Sequence, residues 1–163
     1  MDLLLKITFW ISLGLVFYTY LGYGLVLFLL LKLKNLFKKQ KAVVESDDKD
    51  LPMVTFVVAA FNEEDYIEDK IQNNLAFDYP KDKIHFLFVT DGSNDQTPAL
   101  IENYNFPSGV NWKLYHSPER KGKIAAVERI MEFVKTPITI YTDANTDVNS
   151  RAIRNIVRHY NDP

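Results

Sequence analysis

Nothing charged stands between Lys6 and Lys32. The uninterrupted run at residues 7–31 (ITFWISLGLVFYTYLGYGLVLFLLL) is 25 residues long. As a helix it would extend ~37 Å at ~1.5 Å per residue, against a bilayer core of ~30 Å. It is therefore long enough to span a membrane with some tilt. A secretory signal has a shorter apolar stretch, about 7–15 residues, ending at a small-residue cleavage site that is missing here. A buried core helix this long and charge-free would be out of proportion to the rest of the chain. Residues 1–31 are expected to form an N-terminal transmembrane anchor.

Lysines give the orientation. Lys32, Lys34, Lys38, Lys39 and Lys41 crowd the C-terminal flank, against Lys6 and the α-amino group on the other side. The positive-inside rule then places everything after residue 32 in the cytoplasm, beneath the plasma membrane. Residues 32–51 run from basic to acidic and read as a juxtamembrane linker. The lipid bilayer is thus the first expected partner.

Residues 52–163 are enough for one compact domain. The formal net charge of -2 gives no basic footprint, so nucleic acid is not an expected partner. With no cysteine there is no disulfide, thiolate metal site or Cys nucleophile. Residues 53–60 (MVTFVVAA) form a continuous β-branched, apolar run, as a strand buried on both faces requires. Asn62 is expected to cap the next helix, with Asp65 completing a capping box and Ile67, Ile71 and Leu75 on its inner face. Strands are expected again at 84–90, 112–116 and 137–142. Helices are expected near 98–104, at 124–134 with Ile124, Val127, Ile130 and Val134 inward, and from Ile153. This alternation predicts a mostly parallel sheet covered on both faces. Ligands bind such sheets beyond the carboxyl ends of the strands, where the polar clusters at 61–64, 91–95 and 143–147 fall.

Several nucleotide-binding signatures fail. The loop after the first strand has no glycine, which excludes the dinucleotide fingerprint G-x-G-x-x-G. Gly122-Lys123 lacks the upstream glycine and the following Ser or Thr of a P-loop. Residues 91–102 space acidic and hydroxyl residues as an EF-hand does, but Gln96 stands where glycine must turn the chain, and a strand precedes it.

Four segments in order do form a pattern: residues 57–67 (VVAAFNEEDYI), 89–97 (VTDGSNDQT), 120–126 (RKGKIAA) and 142–146 (TDANT). Together they resemble the ordered signatures of family 2 glycosyltransferases over residues 52–163, behind an anchor that membrane-bound members often carry. The resemblance implies a partial Rossmann-like, glycosyltransferase A-type domain that binds a nucleotide-sugar donor, commonly a uridine diphosphate (UDP) sugar. It implies sugar transfer with inversion to a carbohydrate or lipid acceptor, such as a growing polysaccharide.

Carried over residue by residue, Ala60, Asn62 and Glu63 would edge the nucleoside site and Asp91 would accept a hydrogen bond from the base. Lys121 and Lys123, at a helix N-terminus, would face phosphates or a sugar hydroxyl. Asp143 and Asn145 occupy the Asp-x-Asp position that holds a divalent cation, magnesium or manganese. Asn145 departs from the family by replacing a carboxylate with a neutral oxygen donor, so weaker metal binding is expected. Thr90 likewise stands where many members have a first aspartate. The family's acceptor-side base is expected beyond Pro163, which would make the chain a donor-binding portion. The competing expectation is a non-catalytic, membrane-tethered nucleotide-binding module. A sugar nucleotidyltransferase would need a glycine- and arginine-rich loop at residues 60–64, and there is none.

Overall fold

The computed structural model describes residues 2–37 and 47–161. Lys38, Lys39, Lys41 and much of the linker lie outside the described residues. The chain divides into two compact units, Met1–Val44 and Glu45–Pro163.

The first unit is helical: α1 (Asp2–Phe17), a π-helical turn (Tyr18–Gly22) and α2 (Tyr23–Phe37). Asp2–Lys34 runs as 33 helical residues, long and apolar enough by length and composition to cross a membrane. Its apolar side chains are exposed, as a lipid-facing surface would be in water. At the π turn the Tyr23 N–H reaches back five residues to the Tyr18 carbonyl. The Thr19 hydroxyl lies 2.9 Å from the carbonyls of both Leu15 and Val16, so it spends its proton on the helix itself.

The second unit holds a four-stranded sheet in the order β3-β2-β1-β4, with β1 (Val54–Ala60), β2 (Ile84–Asp91), β3 (Asn111–Ser117) and β4 (Ile138–Asp143). All three pairings are parallel. Phe56 and Val58 point into one core with Ile67 and Ile71 of α3 (Ile67–Leu75), Ile101 of α4 (Thr97–Glu102) and Ile153 of α6 (Ala152–Val157). Val57, Leu87 and Val89 point the other way, onto Ala126 and Ile130 of α5 (Lys123–Met131). The β-branched run of β1 is apolar on both sides because both sides are covered.

Two local expectations are corrected. Asn62 is not a helix cap: its backbone is left-handed (φ 52°), and α3 begins only at Ile67 after a turn in which the Ile67 N–H donates to the Glu63 carbonyl. The reason is long-range. Asn62 Nδ2 donates to Asn94 Oδ1 at 2.8 Å and Asn94 N–H donates to Asn62 Oδ1 at 3.0 Å, which locks the β1 and β2 loops together. Ile124 is 78% exposed rather than inward, because α5 starts at Lys123 and turns Ala126 and Ile130 to the sheet.

Candidate functional site

Parallel register brings the ends of β1, β2 and β4 side by side, with Ala59 paired to Asp143 and Ala60 to Thr90. Beyond those ends opens a cavity of about 320 Å³. Of the sequence-predicted residues, Ala60, Glu63, Asp91, Lys123, Asp143 and Asn145 line it. Asn62 does not, being held by Asn94. Lys121 does not either: its ammonium turns to Glu119 at 3.4 Å, and its part in the site is its backbone N–H.

Asp91, the last residue of β2, is 5% exposed. Its Oδ2 accepts the N–H groups of Lys121 and Gly122, both at 2.7 Å, and its Oδ1 accepts from Arg129 at 3.3 Å. Burial alone would raise its pKa, but those two backbone donors and the Arg129 guanidinium outweigh it and hold the group below 3.8. The carboxylate therefore fixes the loop before α5 and stays ionised. Gly92 is required next to it (φ 71°): a Cβ there would lie 2.5 Å from Arg120 Cβ.

Glu63 has the opposite electrostatics. Burial, then the charges of Asp143 and Asp95, push its pKa above 4.5. Its backbone N–H donates to Thr97 Oγ1 at 2.8 Å, and that hydroxyl donates to Asp95 Oδ2 at 2.9 Å. Asn145 Nδ2 reaches Glu63 Oε1 at 3.4 Å. Asp143 ends β4 with a half-exposed carboxylate that forms an ion pair with Lys123 at the first turn of α5.

Sequence reasoning missed Arg129 and Lys70, and it placed Arg120 in a basic loop without its aromatic partner. Arg120 stacks its guanidinium 3.8 Å from the Phe61 ring centroid, and both residues line the cavity. Arg129 holds Asp91 from within α5. Lys70, on the inner face of α3, lies beneath the turn after β4. The signal that could have found it is the helical stripe it shares with Ile67, Ile71 and Asn74, all four buried, although nothing local names the partners of its ammonium.

A parallel sheet with a cavity at its carboxyl edge, into which several charged side chains converge, defines an open α/β domain of the nucleotide-binding kind. Residues 55–163 match the model for glycosyl transferase family 2, and the chain belongs to that family. It is similar to the poly-beta-1,6-N-acetyl-D-glucosamine synthase of Staphylococcus aureus, 32% identical over 103 residues, which are 63% of this chain and 24% of that protein. The corresponding synthase of Staphylococcus epidermidis is 24% identical over 110 residues, 68% of this chain and 26% of its own length. The chain thus spans about a quarter of the length of these curated relatives. Among solved structures it resembles the mannosyltransferase PcManGT of Pyrobaculum calidifontis, in complex with GDP-Man and Mn2+, with TM-score 0.69 and 28% identity. That match covers 91% of this chain and 43% of the mannosyltransferase. The fold is also that of S. aureus TarS, with TM-score 0.58, 20% identity and coverage of 64% of this chain and 30% of the TarS chain.

Proposed function

We propose that residues 52–163 form the donor-binding part of a membrane-anchored glycosyltransferase, which holds a nucleotide diphosphate sugar and transfers the sugar with inversion to a polysaccharide or lipid acceptor. The observation that carries this reading is the convergence of Glu63, Asp91, Lys123, Asp143 and Asn145 on one cavity, at the strand ends of a family 2 fold. The similar mannosyltransferase was solved with a nucleotide sugar and manganese, which supports the same ligand classes here. We assign a UDP sugar as the donor.

Asp91 keeps Oδ1 capacity beyond its contact with Arg129 and can accept from the ring N–H of uracil. Arg120 and Phe61 present a flat cationic and aromatic wall against which a base can lie. Lys123, at the N-terminus of α5, suits the diphosphate in both charge and helix polarity.

The donor set fits a hard divalent cation. Asp143 offers a half-exposed carboxylate, and Asn145 turns its Nδ2 to Glu63, leaving the carbonyl oxygen as a neutral ligand. Among the described residues no group of three or more His, Cys, Asp or Glu could hold a metal. Asp143 and Asn145 would therefore share it with donor oxygens, the arrangement magnesium favours. When bound, the cation would offset charge on the leaving diphosphate.

The chain in detergent is expected to bind UDP more tightly in manganese than in chelator. Asp143→Ala should remove that gain, a change of about tenfold for a lost charged contact. Equal affinity of wild type and Asp143→Ala in manganese would exclude Asp143 from the metal site. The anchor at 1–31 and a cytoplasmic domain belong to the same reading. A phosphatase reporter fused after Pro163 should be inactive in a bacterial host, and an active one would reverse the topology.

A further inference from the structure

Lys70 is 1% exposed and is the one fully buried lysine among the described residues. Its ammonium donates to Thr142 Oγ1 at 3.1 Å and to the Thr146 carbonyl at 2.5 Å, beneath the Phe56 ring. These acceptors stand on either side of Asp143 and Asn145. The turn between them is knitted further: the hydroxyls of Thr142 and Thr146 lie 2.9 Å apart, and the Thr146 hydroxyl donates to the Asp143 carbonyl at 3.0 Å. One helical turn along α3, Asn73 exchanges two 3.0 Å hydrogen bonds with the Val148 backbone. A buried ammonium is costly to desolvate, and a Met of similar length would avoid that cost. What Met cannot do is grip both sides of the turn.

We propose that Lys70 is a positioning residue, a cationic post under residues 142–146 that fixes how Asp143 and Asn145 are presented to the cavity. The functional part of this inference rests on the donor-binding reading above, whereas the structural part does not. Loss of the post frees the turn, so that the Asp143 carboxylate and Asn145 amide no longer meet a cation together.

The test uses the whole chain in detergent micelles and two readouts. Hydrogen exchange of the 143–148 amides reports the turn, and UDP affinity with manganese or with chelator reports the site. Lys70→Met is expected to speed exchange in the turn by about tenfold and to lower the manganese-dependent affinity about tenfold, with the chelator value nearly unchanged. Ile71→Val, a core change in the same helix that leaves every hydrogen bond to the turn in place, should move neither. Thr142→Val removes one grip from the other side, and decides the matter if Lys70→Met fails to fold. Unchanged exchange of residues 143–148 in either folded variant overturns the proposal, as does equal loss of affinity with and without manganese. If wild-type affinity ignores manganese, the metal reading fails, and turn exchange alone decides the role of Lys70.

Discussion

Replacing Asp91 by Asn keeps size and shape and removes one charge from the most enclosed carboxylate lining the cavity. In the wild type, Oδ2 takes two backbone N–H groups at 2.7 Å while Oδ1 faces Arg129. A hydrogen bond to an ionised acceptor contributes roughly 1.5–3 kcal/mol, against roughly 0.5–1.5 for a neutral one. Asn can still offer one oxygen to Lys121 and Gly122, so each bond weakens by about 1 kcal/mol. Its NH2 must then face the Arg129 guanidinium, donor against donor. The expected loss is about 2–3 kcal/mol, enough to lower a urea midpoint by about 1–2 M. Trp112, stacked on Phe106 with centroids 4.2 Å apart, reports unfolding in a Trp10→Phe background. The sign with pH follows from the depressed pKa. Wild-type advantage is present above the ordinary 3.8 and is lost as pH falls through the lower folded value. The two proteins should therefore differ at pH 7 and converge in acid. Midpoints within about 0.2 M at pH 7 would refute the claim that this carboxylate holds the loop.

Gly92→Ala drives a Cβ against Arg120 at a φ of 71° and should lose about 1–3 kcal/mol in the same urea assay. Glu63→Gln removes a charge that burial, Asp143 and Asp95 all disfavour. It should stabilise the fold at neutral pH, and the gain should vanish as pH falls below the ordinary 4.5. Asn145→Asp adds formal charge at the cavity and should tighten manganese binding by calorimetry. Unchanged or weaker binding would assign Asn145 to Glu63 alone.

The sheet was legible because its two central strands are buried on both faces, so residues 53–60 and 84–90 announce themselves without alternation. The site was legible to the extent that topology places strand ends together: Ala60, Asp91 and Asp143 each close a strand. What escaped depends on partners distant in sequence. Asn62 looks like a helix cap locally, and only Asn94 makes it a clamp. Lys121 reads as a phosphate-facing cation, yet the buried Asp91 claims its N–H and leaves its side chain outside. Ile124 follows the right spacing, but the onset of α5 at Lys123 sets the face that meets the sheet. Lys70 sits on an apolar stripe where a lysine is usually read as solvated, and its partners come more than 70 residues later.

The chain enters its second unit at the amino end of β1, where Lys83 Nζ donates to the carbonyls of Asp48, Lys49 and Leu51, and Tyr79 Oη donates to that of Pro52. The cavity opens at the other end of the same strand, seven residues and about 20 Å away. A pull on the chain ahead of Asp48 would load that end of the sheet first. Such a load is met by the Lys83 and Tyr79 staple and the parallel hydrogen-bond ladder before it reaches Asp91 or Asp143. Breaking the staple with Lys83→Met should therefore loosen the entry to β1 without moving Asp91 or Asp143.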